Sequence, residues 1–400
     1  MKRAFFLSLV FVMGLSAQTL ESLIASALKN HNSLKLIEHK LSAMDDSLKL
    51  SQNFANPEVA LSISDIQFDE PTNRSIEPMQ YQAITFKQKI PYFGKRDAAE
   101  SLVEKQKAVL FASLASAKVA LAKEIRVSAY SIWEQKSKLK IVDEFIELNV
   151  KNAQLSNVYS SSGSSAHMKS MLIGLSNLEL SVRKKRLQAT LDSLYKRVSY
   201  LSAQKVKSLE LEFTLVKPKS LKEYVVLLEN NKEYQKSSAA IKLSESFVKV
   251  KELESNIDPF VKVGYYNRSA FSDYMNITVG ASLPLYGTET LKESRARKEI
   301  LVVASARSDL YEKLHSDLGA LHSKMLSEYA VYKIIEDESL VELEHMFELS
   351  TTGVKNGDNL LLYTQMLEKK LKLEEQKVSA MAAFKRQEAQ IIALLGGTKI

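Results

Sequence analysis

The chain contains 400 residues, with 55 Lys and Arg, 47 Asp and Glu, and no cysteine. Without cysteine, the chain has neither a disulfide framework nor the thiol that an N-terminal lipid anchor requires. The net charge of +8 does not indicate a nucleic-acid-binding protein. The basic residues are interspersed with acidic ones, as on solvated helices, instead of forming a patch.

The chain begins with the layout of a cleavable secretory signal. Two basic residues precede an apolar stretch from Ala4 to Leu15, and the small residues Ser16 and Ala17 follow. This pattern predicts a signal peptide over residues 1–17, rather than a buried N-terminal helix, and therefore an exported protein. No later segment approaches the roughly 18 uninterrupted apolar residues that a membrane-spanning helix needs, so insertion into a membrane would require strands.

The remaining residues divide into two halves in which the same landmarks follow in the same order. The first repeat is predicted over residues 18–215 and the second over residues 216–400. Each reads as a helix, a hairpin (about 56–91 and 257–287), a long helix, a turn (about 160–165 and 350–358) and a final helix. The matching landmarks are Leu20 and Leu221, Asn30 and Asn231, Asn56-Pro57 and Asp258-Pro259, Pro91 to Gly94 and Pro284 to Gly287, and Gly163 and Gly353.

Alternation of apolar and polar residues predicts four strands in the two hairpins. Each run is about ten residues long, the length of a tilted membrane-spanning strand, although a strand of a soluble sandwich would look the same. Because the hairpins lie inside an otherwise helical chain, neither has a sheet of its own to join. We therefore predict that their apolar side chains face lipid. These positions are Val59, Leu61, Ile63, Ile84, Phe86, Val261, Val263, Ile277, Val279 and Leu283.

Two long helices are predicted where Pro and Gly are scarce and apolar residues recur every seven positions. The first runs from about Lys95 to Asn157 and would be about 90 to 100 Å long at about 1.5 Å per residue. The second runs from about Glu289 to Leu349. The heptad positions are Ile125, Ile132, Leu139, Ile146 and Ala153 in the first, and Leu318, Met325 and Tyr332 in the second. An ordinary coiled coil would show the same spacing, but the many Ala and Ser residues beside these stripes favour a wall of closely packed helices.

The number of strands has a consequence for assembly. Four strands are too few to close a barrel, and an open sheet edge in lipid would leave backbone groups without hydrogen-bond partners. Three copies would supply twelve strands around a water-filled lumen. The predicted fold class is therefore mainly α with β: a long α-helical coiled-coil barrel, or tunnel, continuous with a transmembrane β-barrel to which each protomer gives four strands.

At several landmarks the chain resembles the TolC-type outer-membrane efflux family, the outer membrane factors, over essentially its whole mature length. The resemblance is carried by Asn56-Pro57-Glu58 at the first hairpin, Lys87 to Arg96 where strand becomes helix, Ser282 to Gly287 at the equivalent exit, and Gly353 to Asp358 at the second turn. Within the family, Glu77-Pro78-Met79 and Ile90 to Lys95 favour the heavy-metal efflux branch.

The resemblance implies a homotrimer with its barrel in the outer membrane and its helical tunnel in the periplasm. It also implies two protein partners, a periplasmic adaptor (membrane fusion protein) and an inner-membrane pump. The adaptor would contact the tip turns, at Ser162, Gly163, Ser164, Ser165, Gly353, Val354, Lys355, Gly357 and Asp358. The barrel-to-helix junctions would lie at Pro91, Gly94, Pro284 and Gly287. The acidic rings of some relatives have no clear match, because Asn359 and Leu362 occupy the corresponding positions and Asp358 is the nearby candidate.

These features predict a passive exit duct of a tripartite efflux pump for small toxic solutes, either metal cations or drugs. The alternatives are the outer-membrane channel of a type I protein secretion system and a non-membrane periplasmic coiled-coil scaffold. No enzymatic activity or cofactor is predicted, because the sequence has no nucleotide-binding glycine loop and singles out no nucleophile with its base. No metal site is predicted either, since His315 and His322 are two turns apart and His345 lies among surface glutamates.

Overall fold

A computed structural model of the protein describes residues 18–92, 94–159, 164–354 and 360–397. The predicted signal peptide at residues 1–17 lies outside these ranges. None of the helices within them combines the length and the apolar character that crossing a membrane requires.

The elements follow one another in the same order in both halves of the chain. The first half contains α1 (Leu20–Asn30), α2 (Asn32–Gln52), β1 (Glu58–Ser64), β2 (Tyr81–Lys89), α3 (Lys95–Tyr159) and α4 (Ser164–Leu201). The second half contains α5 (Leu221–Val225), a 3-10 turn (Leu228–Asn230), α6 (Lys232–Glu254), β3 (Asp258–Asn267), β4 (Tyr274–Ser282), α7 (Thr288–Ile334), a π-helical segment (Ile335–Ser339), α8 (Leu340–Val354) and α9 (Leu360–Leu394). The division into two repeats at residue 215 stays a prediction.

The chain forms two compact units, and each takes segments from both halves. We call Met1–Lys35, Ala117–Asn231 and Leu314–Ile400 the helical unit, and Leu36–Ser116 with Lys232–Lys313 the sheet unit. Short polar signals start the smaller helices of the helical unit. The Thr19 side chain accepts a hydrogen bond from the Ser22 amide at 3.2 Å, and the Glu223 carboxylate accepts one from the Ser220 amide at 3.1 Å, as N-terminal caps do.

The two predicted hairpins pair with each other in one four-stranded antiparallel sheet, ordered β1-β2-β3-β4. β2 pairs with β3 in a register that places Phe86 opposite Val263. We predicted that neither hairpin has a sheet of its own to join. The structure shows that each hairpin joins the other. The predicted strand lengths were too long at two places, because β1 has 7 residues and β4 ends at Ser282, one residue before Leu283.

The core of the helical unit confirms the first predicted heptad positions of each long helix. Ile125, Ile132, Leu318 and Met325 are buried, as their spacing predicted. Further along α3 the prediction was wrong, because Leu139 and Ile146 are half-buried while Val142 and Phe145 are buried in a cluster with residues of α4 and α9. A straight α-helix drifts about 20° per heptad away from a strict seven-residue stripe, so different residues turn inward along its length. Ala153, the last heptad position, has no described side chain.

The long helix of the second half contains a feature that its sequence did not predict. The π-helical segment Ile335–Ser339 separates α7 from α8. Across it, the buried residues Ile335 and Leu343 are eight positions apart, whereas the next buried pair, Leu343 and Ser350, keeps a separation of seven. Tyr332, the last predicted heptad position before this segment, is only half-buried. A π-helical turn accommodates one extra residue, and after it the buried positions again follow a spacing of seven.

Candidate functional site: a two-faced sheet and its helix junctions

One face of the sheet is apolar and exposed. The strand register places apolar residues side by side across all four strands. One such row consists of Val59, Phe86, Val263 and Ile277. The exposed fraction is 80% for Leu61, 72% for Val279 and 68% for Ile277. Within strands β1 to β4, all of which the structure describes, this face carries no charged side chain. The remaining strand residues on it are Leu61, Ile63, Gln82, Ile84, Gln88, Pro259, Val261, Tyr265, Asn267, Met275, Val279 and Ala281.

The residues predicted to face lipid are therefore on one side of the sheet, with differences in exposure. Val261 and Val263 are half-buried rather than exposed, because their short side chains lie between residues of β2 and β4, whereas the larger side chains of the other inner strand, β2, remain exposed. Leu283 is 58% exposed but lies beyond the end of β4. Contact of this face with lipid stays a prediction.

The opposite face holds every charged residue of the four strands. Glu58 lies opposite Lys87, and Lys87 lies opposite Lys262. Lys89 and Asp258 are an even number of residues from these positions along the same strands, so they share the face. We call these five residues the charged band. Small and aromatic residues fill the rest of the face, where Tyr266 packs edge-on against Tyr81 and stacks on Tyr274, with ring centroids 4.9 and 4.7 Å apart.

The charged band is only partly neutralised. Glu58 accepts from Lys87 Nζ at 3.0 Å and lies 3.5 Å from Lys89 Nζ. Lys87 also lies over the Phe260 ring, 5.1 Å from its centroid. The Phe260 ring covers Gly280, where a Cβ atom would lie 2.5 Å from it. Lys262 has no carboxylate within salt-bridge distance among the residues that the structure describes.

The four predicted junction residues lie where strands become long helices. Gly94 has a φ of +83° and Gly287 a φ of +69°, and each directly precedes a long helix. Their carbonyls accept the first helical hydrogen bonds, from the Ala98 amide at 2.9 Å and the Leu291 amide at 3.1 Å. Only glycine adopts such left-handed angles without strain. Pro91 and Pro284 lie three residues earlier, where their missing N–H ends the strand pairing.

An ion pair that the sequence did not predict fixes the first junction to the start of β3. Asp258 Oδ1 accepts from the Tyr92 amide at 2.9 Å and from Lys95 Nζ at 2.8 Å. Lys95 Nζ also donates to the Asn256 carbonyl at 2.8 Å. Sequence reasoning used Asp258 only as a landmark, because no local spacing relates it to Lys95. The contact holds the two halves of the chain together where the sheet meets the helices of its own unit.

The predicted adaptor-contact turns are only partly described. Ser162, Gly163, Lys355, Gly357 and Asp358 lie outside the described residues. Ser164 and Ser165 belong to α4, and Gly353 and Val354 belong to α8, as helical backbone. The predicted turn boundaries were therefore too wide, because the helices extend further than the glycine and serine residues suggested. A glycine such as Gly353 costs a helix only about 1 kcal/mol relative to alanine, which neighbouring turns can offset.

A buried ion cluster in the helical unit is the second feature that sequence reasoning missed. Glu134 of α3 is 8% exposed and accepts from Lys138 Nζ at 2.5 Å and from Arg386 of α9 at 2.6 Å. Burial raises the pKa of Glu134, but the hydrogen bonds from Lys138 and Arg386 outweigh that effect and hold the pKa below its ordinary value. The cluster joins residues 252 positions apart, so no sequence pattern could reveal it.

Glu375 of α9 shows the opposite electrostatic result. It is 5% exposed, and its Oε2 atom contacts Arg183 of α4. Its Oε1 atom accepts no hydrogen bond from any described residue. Burial raises the pKa of Glu375 above its ordinary value, and the charge of Arg183 offsets only part of the increase.

The histidines do not form a metal site within the described part of the chain. No group of three or more His, Cys, Asp or Glu side chains is arranged there to hold a metal ion. His322 instead has a structural role, because its Nε2 lies 2.9 Å from the Lys219 carbonyl and its ring packs against Tyr224 at 5.7 Å.

Comparison with known proteins supports the fold. No protein-family model matches the sequence, and no curated protein matches it. Solved structures do match, at low identity and nearly full length. The outer-membrane channel OprN is 14% identical, with 95% of this chain and 90% of that chain covered and a TM-score of 0.74. The outer membrane protein VceC of Vibrio cholerae is 13% identical, with coverages of 94% and 96% and a TM-score of 0.75. The MtrE outer membrane channel of Neisseria gonorrhoeae, solved in its open state, is 10% identical, with coverages of 94% and 88% and a TM-score of 0.75.

At these identities the likeness concerns the fold. The chain has the fold of outer-membrane channel proteins, as the resemblance to the TolC-type family predicted, with long helices and a four-stranded sheet in one chain. The predicted fold class is confirmed.

Proposed function

We propose that the protein is one subunit of a trimeric outer-membrane channel of the TolC-type efflux family. In this proposal, an inner-membrane transporter and a periplasmic adaptor pass small toxic solutes, either metal cations or drugs, into a passive exit duct. The energy comes from the transporter, and the subunit itself performs no catalysis. The proposal includes the heavy-metal branch of the family, because Glu77-Pro78-Met79 and Ile90 to Lys95 favour that branch in the sequence.

The exposed apolar face of the sheet is the observation that carries the proposal. A sheet in water ordinarily packs its apolar face against a core and leaves the polar face to solvent. Here Leu61, Ile277 and Val279 are each more than two-thirds exposed, and no strand residue on their face is charged. A contiguous exposed apolar surface marks an interface or a membrane-contacting surface. Strands of 9 or 10 residues in β2, β3 and β4 match the length that spans a bilayer at a tilt.

The strand order supports assembly into a closed ring. β1 and β4 are the outer strands of the sheet, and in lipid their outer backbone groups would need partners. Successive strands alternate in direction, so β4 of one copy and β1 of the next would also be antiparallel. Three copies, the number that the family resemblance implies, would give twelve strands and satisfy the even-number rule of bacterial barrels.

The location follows from the same proposal. Residues 1–17 would direct export, the sheet would lie in the outer membrane, and the long helices would form the periplasmic tunnel. The adaptor would bind at the two tip turns, the first between α3 and α4 and the second between α8 and α9. The glycines and serines there suit close approach of a partner's backbone, since they carry little side-chain bulk.

Membrane fractionation and bilayer recording test the proposal together. The full-length protein, expressed with its own export signal, should be recovered from outer membranes as a trimer that resists SDS until heated, and should conduct ions in planar bilayers. Deleting the gene should sensitise the cell to metals or to drugs, and the plasmid-borne gene should restore resistance. A periplasmic monomer that is soluble without detergent would contradict the proposal and favour the scaffold alternative.

The same deletion strain distinguishes the remaining alternative and the class of solute. Sensitivity to metal salts alone would favour the heavy-metal branch, whereas sensitivity to detergents and dyes would favour drug efflux. Normal resistance combined with the loss of one secreted protein from the medium would instead indicate type I secretion.

A further inference from the structure

We infer that the charged band makes the barrel lumen select anionic solutes over cations, including metal cations. The inference rests on the proposed channel function and narrows it, because a lumen that prefers anions favours the drug alternative over the efflux of free metal cations. It concerns Glu58, Lys87, Lys89, Asp258 and Lys262, the five charged residues of the strands.

The sheet determines which of its faces would line the lumen. All five charged strand residues share one face, and the opposite face holds none, as the strand register requires. A charged side chain on the lipid side of a barrel strand is strongly destabilising near the middle of the bilayer, whereas lumen positions tolerate charge and tune selectivity. The charged band would therefore face the water-filled lumen.

The band lies at one end of the sheet. Glu58 is the first residue of β1, Lys87 and Lys89 end β2, and Asp258 and Lys262 lie in the first half of β3. These are the strand ends that continue into helices. In a closed ring, the copies of the band would lie at the same height around the lumen, so every solute that leaves the helices would pass it.

The band carries an excess of positive charge. Three lysines face two carboxylates, which gives 3 − 2 = +1 per chain, and Lys95, which pairs with Asp258 at 2.8 Å, brings the sum to 4 − 2 = +2. Glu58 is shared between Lys87 and Lys89. Lys262 has no carboxylate partner in the described part of the chain, so it contributes an unbalanced charge.

The arrangement of Lys87 and Lys262 also argues against a purely structural role. These two lysines are direct cross-strand partners, and like charges at such positions destabilise a sheet. The nearest positions on β4 and β1 offer only partial relief, because Lys262 faces Thr278 on its other side and Glu58 is already shared. The two adjacent positive charges would instead attract anions into the lumen.

The size of the effect follows from confinement. Low-dielectric walls focus the field of charges that line a channel. A lumen potential of about one kT would raise the anion concentration and lower the cation concentration by equal factors, for an anion-to-cation ratio on the order of seven. Salt should suppress this preference, because the Debye length falls to about 3 Å at 1 M ionic strength.

Reversal potentials of purified trimers in planar bilayers, measured across a KCl gradient at low ionic strength, test the inference. The unaltered channel should prefer chloride. Lys262→Arg keeps the charge and should keep that preference, Lys262→Gln should weaken it, and Lys262→Glu should abolish it. Glu58→Gln removes a negative charge from the same face and should strengthen the preference. A merely structural role for these residues would not order the variants by charge.

The possible outcomes separate the inference from the channel function. A cation-selective parent channel, or the same reversal potential in the parent, Lys262→Gln and Glu58→Gln, would overturn the inference while leaving the proposed channel intact. Trimers that fail to conduct at all would contradict the channel function and the inference with it. If Lys262→Glu fails to form heat-modifiable trimers, the reversal potentials of the two neutral variants, Lys262→Gln and Glu58→Gln, still support or overturn the inference.

Discussion

The two units of this chain differ in whether their apolar side chains are buried and in where their charged side chains lie. The helical unit buries Ile132, Leu318 and Phe384 and encloses Glu134 between two cations. The sheet unit exposes Leu61 and Ile277 and collects its strand charges on the other face. The difference shows that the helical unit is organised by burial of apolar side chains, with its buried carboxylates paired to cations, whereas the sheet is not. The sheet instead separates apolar from charged residues by face, which suits a layer with water on one side and hydrocarbon on the other.

The largest expected effect comes from placing a charge on the apolar face. Ile277→Lys should prevent stable trimers, because a lysine facing lipid near the bilayer midplane costs about 2 to 4 kcal/mol per barrel position, and three copies would carry it. Asn276→Lys, one residue earlier on the opposite face and paired with the uncharged Gly264, should assemble normally. Unheated SDS gels of outer membranes report both variants. Equal trimer yields would show that the two faces do not differ in their surroundings.

A smaller effect is expected in the helical unit, where Glu134 has two cationic partners. Glu134→Gln leaves Lys138 and Arg386 largely buried without their counter-charge, which should destabilise the fold by about 3 kcal/mol. Glu144→Gln, which removes the partner of an exposed lysine 3.9 Å away, should change stability by less than about 1 kcal/mol. Thermal unfolding of the two variants under identical detergent conditions gives the comparison.

The same substitution should change the pH dependence of stability. The folded-state pKa of Glu134 is lowered, so its contribution is fully present above the ordinary value of 4.5 and is lost as the pH falls through the folded-state pKa. The Gln variant should lose less stability over that acidic range than the parent. If the parent and the variant weaken in parallel on acidification, Glu134 does not have the ion pairs described.

The junction glycines should show an intermediate effect. Gly94→Ala and Gly287→Ala force a Cβ atom onto left-handed backbone angles, at a cost of about 1 to 2 kcal/mol each. No atom lies within 4 Å of a Cβ at Gly287, and the nearest at Gly94 is 4.0 Å away, so crowding adds nothing. Gly319→Ala, inside α7 with open space around it, should instead stabilise by up to about 1 kcal/mol. Unfolding midpoints that move the same way in all three variants would contradict this assignment.

The smallest effect is expected at Glu375. Its folded-state pKa is raised, so the folded protein binds a proton more readily than the unfolded chain, and stability falls as the pH rises from 4.5 through the folded-state pKa. Glu375→Gln imitates the protonated side chain and should remove that decline. At neutral pH it should change stability little or raise it slightly, unlike Glu134→Gln. A large loss of stability at about pH 7 would show that the contact with Arg183 outweighs burial.

The features that could be predicted from the sequence are those with a short repeat along the chain. Side chains of a strand alternate with a period of two, so Ile277 and Val279 were assigned to one face without knowledge of the partner strands. Pro and Gly marked the strand-to-helix junctions for the same local reason. The heptads of α3 were less reliable, since an error of about a tenth of a residue per turn accumulates over a long helix.

The remaining features depend on residues that are distant in sequence. Asp258 and Lys95 are 163 positions apart, and Glu134 and Arg386 are 252 apart, so neither pair leaves a pattern. Their charges appeared in the sequence as ordinary solvated residues. The π-helical segment at Ile335 also has no simple signature, because its one extra residue becomes visible only when the buried positions on both sides are known. Lys262 lies between two apolar residues of its strand, which places it on the polar face, but its position opposite Lys87 required the register.

Thiol labelling is the most direct test of the central claim that the apolar face of the sheet contacts lipid. Because the chain has no cysteine, Val279→Cys and Thr278→Cys each introduce one reactive position, on adjacent residues of opposite faces. In trimers reconstituted into lipid vesicles, a water-soluble maleimide should label Thr278→Cys and spare Val279→Cys. A fluorophore attached to Val279→Cys in detergent before reconstitution should in turn be quenched by brominated lipid tails. Equal labelling at both positions, without quenching at either, would contradict the account.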